Sequence, residues 1–279
     1  MSDVLAKSVV KLIEQQLVIT EKRPLLLGIS GPQGCGKTTL CSLLKVLLND
    51  RNSLILSLDD FYLTFQEQKQ LYSATSSELW KQRGNPGSHG LSDLKRVLEN
   101  VLDNKSTTAP LYDKSLHEGE GDRVHESNLV INASGLDVVI MEGWMVGFTS
   151  ISEQSLKIRW LESSFASKYS WSEIAQLNSF LSLYDPIWNL FDGFIVIQAE
   201  NIQNVFEWRW EQEECASKAK GKKMMTQEQV HQFVSKFMPA LELFSVQQKV
   251  LATVKMNSKR QISDSQNEII KLEQGLLSG

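Results

Sequence analysis

Eight consecutive residues, from Gly31 to Thr38, give the clearest chemical signal in this sequence. They spell G-P-Q-G-C-G-K-T, which matches the pattern G-x-x-x-x-G-K-S/T of a loop that binds nucleotide phosphates. Glycines let such a loop turn successive backbone N–H groups toward phosphate oxygens. An apolar run precedes the loop and a helical pattern follows it, as a phosphate-binding loop requires. We therefore predict a P-loop at this position.

Lys37 and Thr38 close this motif, and the chemistry of each side chain indicates its role. The Lys37 ammonium can reach the β and γ phosphates, and the Thr38 hydroxyl can ligate Mg²⁺. The sequence contains neither the N-K-x-D motif of GTPases nor an LSGGQ-like signature of ABC-type ATPases. The nucleotide-binding residues predicted in the loop are Gly31, Pro32, Gln33, Gly34, Cys35, Gly36, Lys37, Thr38 and Thr39.

Acidic residues follow two of the apolar runs. Asp59 and Asp60 come at the end of Leu54–Leu58, where a parallel strand would open onto the ligand side of the sheet. A carboxylate there can accept the proton of a substrate hydroxyl, and we expect Asp59, or failing that Asp60, to be this base. Both residues could instead cap a helix or form a turn. Glu142 closes the run Val138–Met141, and we expect it to hold Mg²⁺ directly or through water.

Continuous apolar runs separated by helical patterns must position these residues. They are typical of parallel strands covered on both faces, so we predict an α/β fold with a parallel sheet flanked by helices. Thr38–Leu48 is a predicted helix, as are residues 1–20, which should pack on the domain, whereas Gly84–Gly90 and Glu118–Arg123 are predicted loops. The predicted strands are Leu25–Ile29, Leu54–Leu58, Val138–Met141, Phe194–Ile197 and Val250–Val254.

The charge and cysteine content exclude several classes of function. The 279 residues carry 29 Lys and Arg against 33 Asp and Glu, and this slightly acidic balance disfavours nucleic acid or an anionic membrane as a partner. No apolar run approaches the length of a membrane span. The three cysteines are too few and too scattered for a disulfide framework or a zinc site. We expect a cytoplasmic monomer with reduced thiols and no secretory or transit signal.

Taken together, these motifs resemble the D-glycerate 3-kinase family, one of the P-loop kinases that also include uridine kinase, phosphoribulokinase and bacterial pantothenate kinase. The P-loop is shared by many proteins, whereas RGNPGSHG, the YDKS…GEGDR run and EGWMVGF are far more specific. The matching segments follow the family order and cover most of the chain between residues 28 and 240. These segments are residues 28–39, 57–64, 83–90, 110–123, 138–148, 206–213 and 225–240.

The resemblance implies a P-loop NTPase fold in a single kinase domain, residues 1–279, with a helical lid and a following helix at 206–240. It implies that the domain phosphorylates glycerate to 3-phosphoglycerate with ATP and Mg²⁺. Lys37 and Thr38 fall on the family's phosphate and metal positions. Asp59 falls on the catalytic base, and Glu142 on the Walker-B acid.

Four further residues lie in segments that, by the same resemblance, face the acceptor substrate. They are Arg83, Tyr112, Lys114 and Arg123. Glycerate is a small anion, and arginine offers its carboxylate a bidentate fork. Two arginines and a lysine would neutralise it and would also assist the transferring phosphoryl group. We therefore expect all four to bind substrate, and Arg123 to act in catalysis together with Asp59 and Lys37.

A basic segment after the fourth predicted strand resembles a kinase lid that closes over ATP. We expect Arg209 to bind the nucleotide, and most of the following lysines to belong to a solvated helix end. Trp208 and Trp210 could stack on adenine, although burial in the core is the more common reason for such residues. The lysines are Lys218, Lys220, Lys222 and Lys223.

Two other functions remain possible on the sequence. The first is a P-loop kinase for another small hydroxyl compound, such as a nucleoside or a pantothenate-like alcohol. The second is a non-catalytic protein that binds ATP and has no acceptor. The presence of Asp59 and Glu142 together with the substrate-side arginines favours an enzyme, because a binding protein needs no acceptor base.

Overall fold

Five parallel strands form the central sheet, and a separate two-stranded hairpin lies beside it. The computed structural model describes residues 3–20, 22–220 and 225–262. The strands are β1 Leu25–Ser30, β2 Ser53–Ser57, β3 Thr107–Asp113, β4 Asp122–Ile131, β5 Val138–Gly143, β6 Gly193–Ala199 and β7 Val250–Met256. The sheet has the order β2–β5–β1–β6–β7, with every neighbouring pair parallel. All five predicted strands and the parallel α/β fold are confirmed.

Helices cover both faces of this sheet. They are α1 Asp3–Ile19, α2 Lys37–Leu47, α3 Phe65–Thr75, α4 Leu91–Leu102, α5 Glu153–Glu162, α6 Trp171–Ser182, α7 Asp185–Trp188, α8 Asn204–Lys220, α9 Gln227–Ser235 and α10 Met238–Leu243. The predicted helix Thr38–Leu48 is α2, shifted by one residue at each end. The predicted N-terminal helix is α1, and it packs against α2 as expected.

Strand β1 shows why continuous apolar runs form this sheet. All six of its residues are buried, and they alternate between two cores. Leu25 and Leu27 face a core shared with α1 and α2, whereas Leu26 faces a larger core shared with α4 and α6. Because each face is covered, both sets of side chains must be apolar. The sheet therefore holds the carboxyl ends of β1, β2 and β5 at one rigid edge.

The hairpin of β3 and β4 was not predicted, and it corrects the end of the predicted loop Glu118–Arg123: residues 118–121 are 3₁₀, turn and loop structure as expected, whereas Asp122 and Arg123 are not. β4 begins at Asp122, so Arg123 lies in a strand, opposite Tyr112 in β3. The two strands are antiparallel, with an irregular register between Pro110 and Tyr112. A two-stranded sheet leaves much of its surface exposed, as at Val130, so the sequence shows no continuous apolar run there.

The predicted lid region forms helices α8, α9 and α10. They enclose a small third core made of Phe165, Val205, Val230, Val234 and Met238. Thr226 caps the N-terminus of α9 with a capping box, in which its hydroxyl and the Gln229 side chain each bind the other's backbone N–H. Lys222, Lys223 and the residues beyond 262 lie outside the described residues, as does the side chain of Lys220.

No helix within the described ranges combines the length and the apolar character needed to cross a membrane. The most apolar stretch of α1 is explained by packing instead. Leu5, Val9, Ile13 and Leu17 recur every four residues and are all buried on one side of the helix.

Candidate active site

The P-loop joins β1 to α2, and two glycines set its shape. Gly34 and Gly36 have φ angles of +74° and +95°, in the left-handed region that glycine adopts without steric penalty. Gly36 precedes the first turn of α2, and no side chain in the described part of the chain caps that turn. The N–H groups of an uncapped first turn form an anion-binding site. The loop therefore fits the phosphates of a nucleotide.

A side chain at Gly34 would collide with the lid. A Cβ atom there would lie 2.6 Å from both the carbonyl carbon and the carbonyl oxygen of Trp208 in α8. Backbone atoms cannot move aside as a flexible side chain can. The P-loop and the first part of α8 are thus in direct contact.

Lys37 begins α2, and its ammonium lies inside the loop. Its Nζ donates hydrogen bonds to the carbonyl oxygens of Gly31 and Pro32, at 2.7 and 3.1 Å. The cation and the helix N-terminus together make this loop strongly attractive to an anion. Both observations agree with the role predicted for Lys37.

The other predicted loop residues divide into buried and exposed sets. Cys35 is buried, and burial raises the pKa of its thiol. The side-chain oxygen of Gln33 is buried and has no hydrogen-bond partner among the described residues. Thr38 and Thr39 are exposed on the first turn of α2, where their groups are accessible to a ligand.

Glu142 lies between the P-loop strand and β2. It is opposite Ile29 in β1 and Ser57 in β2, and the Ser57 Oγ donates to its Oε1 at 3.1 Å. Among the described residues no group of three or more His, Cys, Asp or Glu could hold a metal ion. A donor set of Glu142 and the Thr38 hydroxyl, completed by phosphate oxygens and water, instead suits Mg²⁺, which keeps several waters and takes few protein ligands.

Asp59 lies in a short 3₁₀ helix, Leu58–Phe61, directly after β2. Its Oδ2 accepts a hydrogen bond from Lys114 Nζ at 2.5 Å, and its Oδ1 accepts one from the Tyr62 hydroxyl at 2.8 Å. Burial acts to raise the pKa of this carboxyl, but Lys114 and Tyr62 outweigh it, so the pKa lies below its ordinary value. Asp59 is therefore ionised and can accept a proton through its remaining lone pairs.

Asp60 has a different environment, and neither residue caps the helix. The cap is Ser57, whose Oγ accepts from the Asp59 N–H at 3.3 Å, so the cap hypothesis for the two aspartates is wrong. Asp60 Oδ1 accepts the Tyr112 N–H at 3.3 Å, which anchors the hairpin. Burial, together with the charge of Asp59, raises the pKa of Asp60. These contacts favour Asp59 over Asp60 as the base.

Arg83 and Tyr112 lie together at the hairpin. The Arg83 guanidinium donates to the carbonyl oxygens of Gly119, at 2.9 Å, and Glu120, and it lies 5.4 Å from the centre of the Tyr112 ring. Tyr112 in turn packs edge-on against Tyr62, the partner of Asp59. A line of contacts thus connects Arg83 to the predicted base. Within the described residues no carboxylate pairs with Arg83, and carbonyl oxygens do not neutralise its positive charge.

Arg123 makes contacts of another kind. Its Nη1 donates to Asp93 Oδ2 and its Nε to the Tyr62 carbonyl oxygen, both at 2.8 Å. The side chain is 19% exposed. These bonds join β4 to α4 and to the segment that carries Asp59, which is a positioning role. Its predicted contact with substrate remains a prediction.

His89 is buried behind Tyr62. The two rings stack with centroids 4.7 Å apart, and His89 Nδ1 lies 2.7 Å from the Tyr184 hydroxyl. That hydroxyl already accepts the Gly87 N–H, so its own hydrogen is free to be donated to His89. Burial lowers the pKa of His89 to about 4. A neutral histidine therefore supports the ring of Tyr62 from below.

Arg209 is held within the lid. Its Nη1 donates to Glu213 Oε2 at 2.9 Å, one turn further along α8, and its guanidinium lies 5.3 Å from the Phe233 ring in α9. Glu213 also accepts the Met225 N–H at 3.2 Å. Arg209 thus ties α8 to the chain that enters α9, and its contact with nucleotide remains a prediction. Lys218 is exposed on α8, as expected for a solvated helix end.

Sequence comparison first supports a P-loop domain and a kinase. The model of a family described as KAP family P-loop domain matches residues 2–114, the part that contains the P-loop and Asp59. Over 247 residues the chain is 37% identical to the uncharacterized kinase mug58 of Schizosaccharomyces pombe, which covers 85% of this chain and 86% of that protein.

A solved structure gives the decisive comparison. A D-glycerate 3-kinase from Cryptococcus neoformans var. grubii has a TM-score of 0.85 and 31% sequence identity, over 94% of this chain and 99% of that chain. The chain belongs to the D-glycerate 3-kinase family of P-loop kinases. A chloroplastic D-glycerate 3-kinase of Arabidopsis thaliana is 33% identical over 229 residues, which is 79% of this chain and 48% of that protein, so the chain spans about half the length of this relative.

Membership in the D-glycerate 3-kinase family confirms the resemblance, the fold and the kinase class predicted from the sequence. Two residues beside the site were missed. Ser57 connects Glu142 to Asp59, and a serine at the end of a strand gives no distinctive signal. Arg260 contacts the P-loop from a segment where the sequence match to the family fades.

Proposed function

We propose that this protein is a D-glycerate 3-kinase, which transfers the γ-phosphoryl group of ATP to the 3-hydroxyl of D-glycerate. The arrangement around Asp59 carries the proposal. Its carboxylate is held ionised by Lys114 and Tyr62. The Ser57 hydroxyl accepts the Asp59 backbone N–H and donates to Glu142, so the two acids lie on either side of Ser57 beside the P-loop. An acceptor base and a metal-side acid so placed are what a phosphotransferase requires.

The proposed nucleotide site is the P-loop with the start of α2. The N–H groups of the uncapped helix and the Lys37 ammonium bind the phosphates, and these groups need no rearrangement of the sheet. Thr38 and Glu142 would hold Mg²⁺, which neutralises charge on the β and γ phosphates when bound. ATP and Mg²⁺ are therefore the proposed cofactors.

The proposed transfer is direct. Asp59 accepts the proton of the acceptor hydroxyl while the hydroxyl oxygen forms a bond to the γ-phosphorus. The bond from that phosphorus to the β–γ bridging oxygen breaks, and ADP leaves. Tyr62 and Lys114 keep the Asp59 carboxylate in place and charged, so that the base is ready before the acceptor binds.

The proposed acceptor site is lined by the cations of the hairpin side. Lys114 reaches Asp59 directly, and Arg83 keeps an unneutralised charge next to Tyr112. A small hydroxy acid places its carboxylate toward such charges while its hydroxyl approaches the base. Tyr112 and Arg123 complete the proposed substrate-binding set.

The proposal also covers the oligomeric state and the location of the protein. We expect a monomeric single-domain enzyme of the cytoplasm that binds small molecules, in keeping with its net charge of −4. Analytical ultracentrifugation and imaging of a fluorescently tagged chain test the monomer and the location.

One assay tests the activity. Purified protein with Mg²⁺-ATP is offered D-glycerate, uridine and pantothenate in turn, and ADP release is measured for each. Glycerate-dependent turnover with 3-phosphoglycerate identified by ³¹P NMR supports the proposal. Turnover with another acceptor but not with glycerate would refute glycerate as the substrate and leave the kinase activity supported. Turnover with none of the three would refute the proposed enzymatic activity. Lys37→Ala, which should lose nucleotide binding, controls for contaminating ATPases.

A further inference from the structure

A tight turn after β7 carries Arg260. The Arg260 N–H donates to the Asn257 carbonyl oxygen at 2.9 Å, and the Asn257 N–H donates to the Gln261 carbonyl oxygen at 2.9 Å. Arg260 itself has a φ of +55°, which non-glycine residues adopt only where the surroundings enforce it. The turn therefore holds the base of this side chain in one place.

The Arg260 guanidinium contacts the P-loop and the lid at the same time. Its Nε donates to the Gly34 carbonyl oxygen at 2.6 Å, and its Nη2 donates to the Trp208 carbonyl oxygen at 3.2 Å. Its Nη1 pairs with Glu211, one turn further along α8. The side chain is 22% exposed and lies 5.7 Å from the Trp208 ring.

Trp208 makes the same connection from the lid side. It is fully buried, and its indole N–H donates to the Ser258 carbonyl oxygen at 2.6 Å, in the turn that carries Arg260. The backbone of Trp208 is also what leaves no room for a Cβ at Gly34. The turn, the lid helix and the P-loop thus meet at one point.

The bond to Gly34 has a consequence for phosphate binding. A loop can present its N–H groups to an anion only while its carbonyl oxygens are directed elsewhere. Arg260 supplies a charged donor for the Gly34 carbonyl, and charge-assisted hydrogen bonds are the stronger ones. Without that donor, a glycine in the middle of the loop would be free to rotate its peptide group.

We propose that Arg260 is a positioning residue of the nucleotide site, which fixes the Gly34 peptide and fastens it to the first part of α8. The inference rests on the proposed use of ATP. It implies that the first part of α8, up to Glu211, stays fixed to the P-loop. It also implies that substitution of Arg260 weakens nucleotide binding and leaves acceptor binding unchanged.

Binding of MgADP, measured by isothermal titration calorimetry without any acceptor, tests the inference. We expect Arg260→Met to weaken binding about tenfold or more, the effect of losing one charge-assisted hydrogen bond. In turnover assays its KM for ATP should rise by a similar factor, while the KM for the acceptor stays within about threefold. In Arg260→Lys the ammonium can restore one hydrogen bond but cannot contact the P-loop and α8 at the same time. The MgADP affinity of this variant should therefore lie between those of wild type and Arg260→Met.

Arg51→Met is the matched control. Arg51 also pairs with a glutamate, Glu14, but on the surface and beyond the C-terminal end of α2, whose N-terminal end adjoins the P-loop, so MgADP affinity should not change. Wild-type affinity in both Arg260 variants, or equal increases in the two KM values, would overturn the inference. If Arg260→Met does not fold, MgADP affinity is measured on Arg260→Lys, provided that its melting temperature equals that of wild type. Weaker binding then supports the inference, and wild-type affinity overturns it. Because the titration contains no acceptor, a wrong acceptor leaves this result intact, whereas wild type that binds no MgADP refutes the proposed function and this inference together.

Discussion

At the scale of single residues, the charge on Asp59 depends on two opposing influences on the pKa of its carboxyl. Burial favours the protonated carboxyl, whereas the Lys114 ammonium and the Tyr62 hydroxyl favour the carboxylate. The second influence is larger, so the pKa is lowered. The cost is a weaker base, and the gain is that the base is present in its active form at every pH above the acid range.

Asp59→Asn tests the role of this base. The amide keeps the shape of the side chain but cannot accept the proton, so kcat should fall by about two to four powers of ten. MgADP affinity should be unchanged, because the P-loop is untouched. Steady-state kinetics and calorimetry measure the two quantities. Full activity in Asp59→Asn, with loss in Asp60→Asn, would transfer the role to Asp60.

Lys114→Met tests the cause of the lowered pKa. The ammonium is the largest of the influences that lower the pKa of Asp59, so its removal should let burial raise that pKa. A base with a raised pKa is protonated at higher pH, and the acid limb of kcat/KM against pH should therefore move to higher pH than in wild type. Lys105→Met, which removes an exposed lysine paired with Asp103, serves as the control. An unmoved acid limb would show that Lys114 does not set the charge of the base.

At the scale of elements, the hairpin of β3 and β4 determines where the substrate-side residues lie. Hydrogen bonds fasten it to the segment around Asp59: the Tyr112 N–H donates to Asp60, the Phe65 N–H to Asp122, and Arg123 to the Tyr62 carbonyl oxygen. Arg123 also fastens the hairpin to Asp93 in α4. Lys114 and Tyr112 are carried on this hairpin. Its attachment is therefore as important to the site as the residues themselves.

Arg123→Met tests whether Arg123 stabilises the fold through its ion pair with Asp93 or binds the substrate. If the Asp93 contact is the main role, Arg123→Met and Asp93→Asn should each lower the free energy of unfolding by about 1–3 kcal/mol, and the double variant should lose little more. Urea denaturation measures this. A substrate ligand would behave differently, since Arg123→Met alone would then raise the KM for the acceptor while Asp93→Asn would not.

At the scale of the whole molecule, the sheet is stabilised by two cores that differ in their relation to the site. The larger core lies under α4, α6 and the segments near the acceptor side, whereas the other lies under α1 and α2. The P-loop leaves β1 between them. Packing of α1 thus supports the nucleotide site although no residue of α1 is predicted to touch a ligand.

Ile13→Ala in α1 tests how much this packing contributes. Ile13 is fully buried, so the variant should lose about 2–5 kcal/mol of unfolding free energy through lost burial and the cavity left behind. Val18, on the same helix, is 85% exposed, and Val18→Ala should stay within about 0.5 kcal/mol of wild type. Equal destabilisation of the two variants in urea would contradict the packing described for α1.

The sequence alone determined the features that depend on neighbouring residues. The glycines of the P-loop, the apolar strands and the acids that end them are local patterns, because backbone angles and burial on two faces act over a few residues. Strand ends also meet at one edge of a parallel sheet, which is why Asp59 and Glu142 could be assigned to one site.

Which charged groups meet depends on how the whole chain folds. Arg123 reaches Asp93 across 30 residues, Lys114 reaches Asp59 across 55, and Arg260 reaches Gly34 across 226. No local pattern encodes such a pair, because a long side chain is satisfied by any suitable group that the fold brings within about 3 Å. Arg123, which the sequence suggests as a substrate ligand, is therefore bound to Asp93 in α4. Arg260, for which the sequence predicts no role, contacts the P-loop.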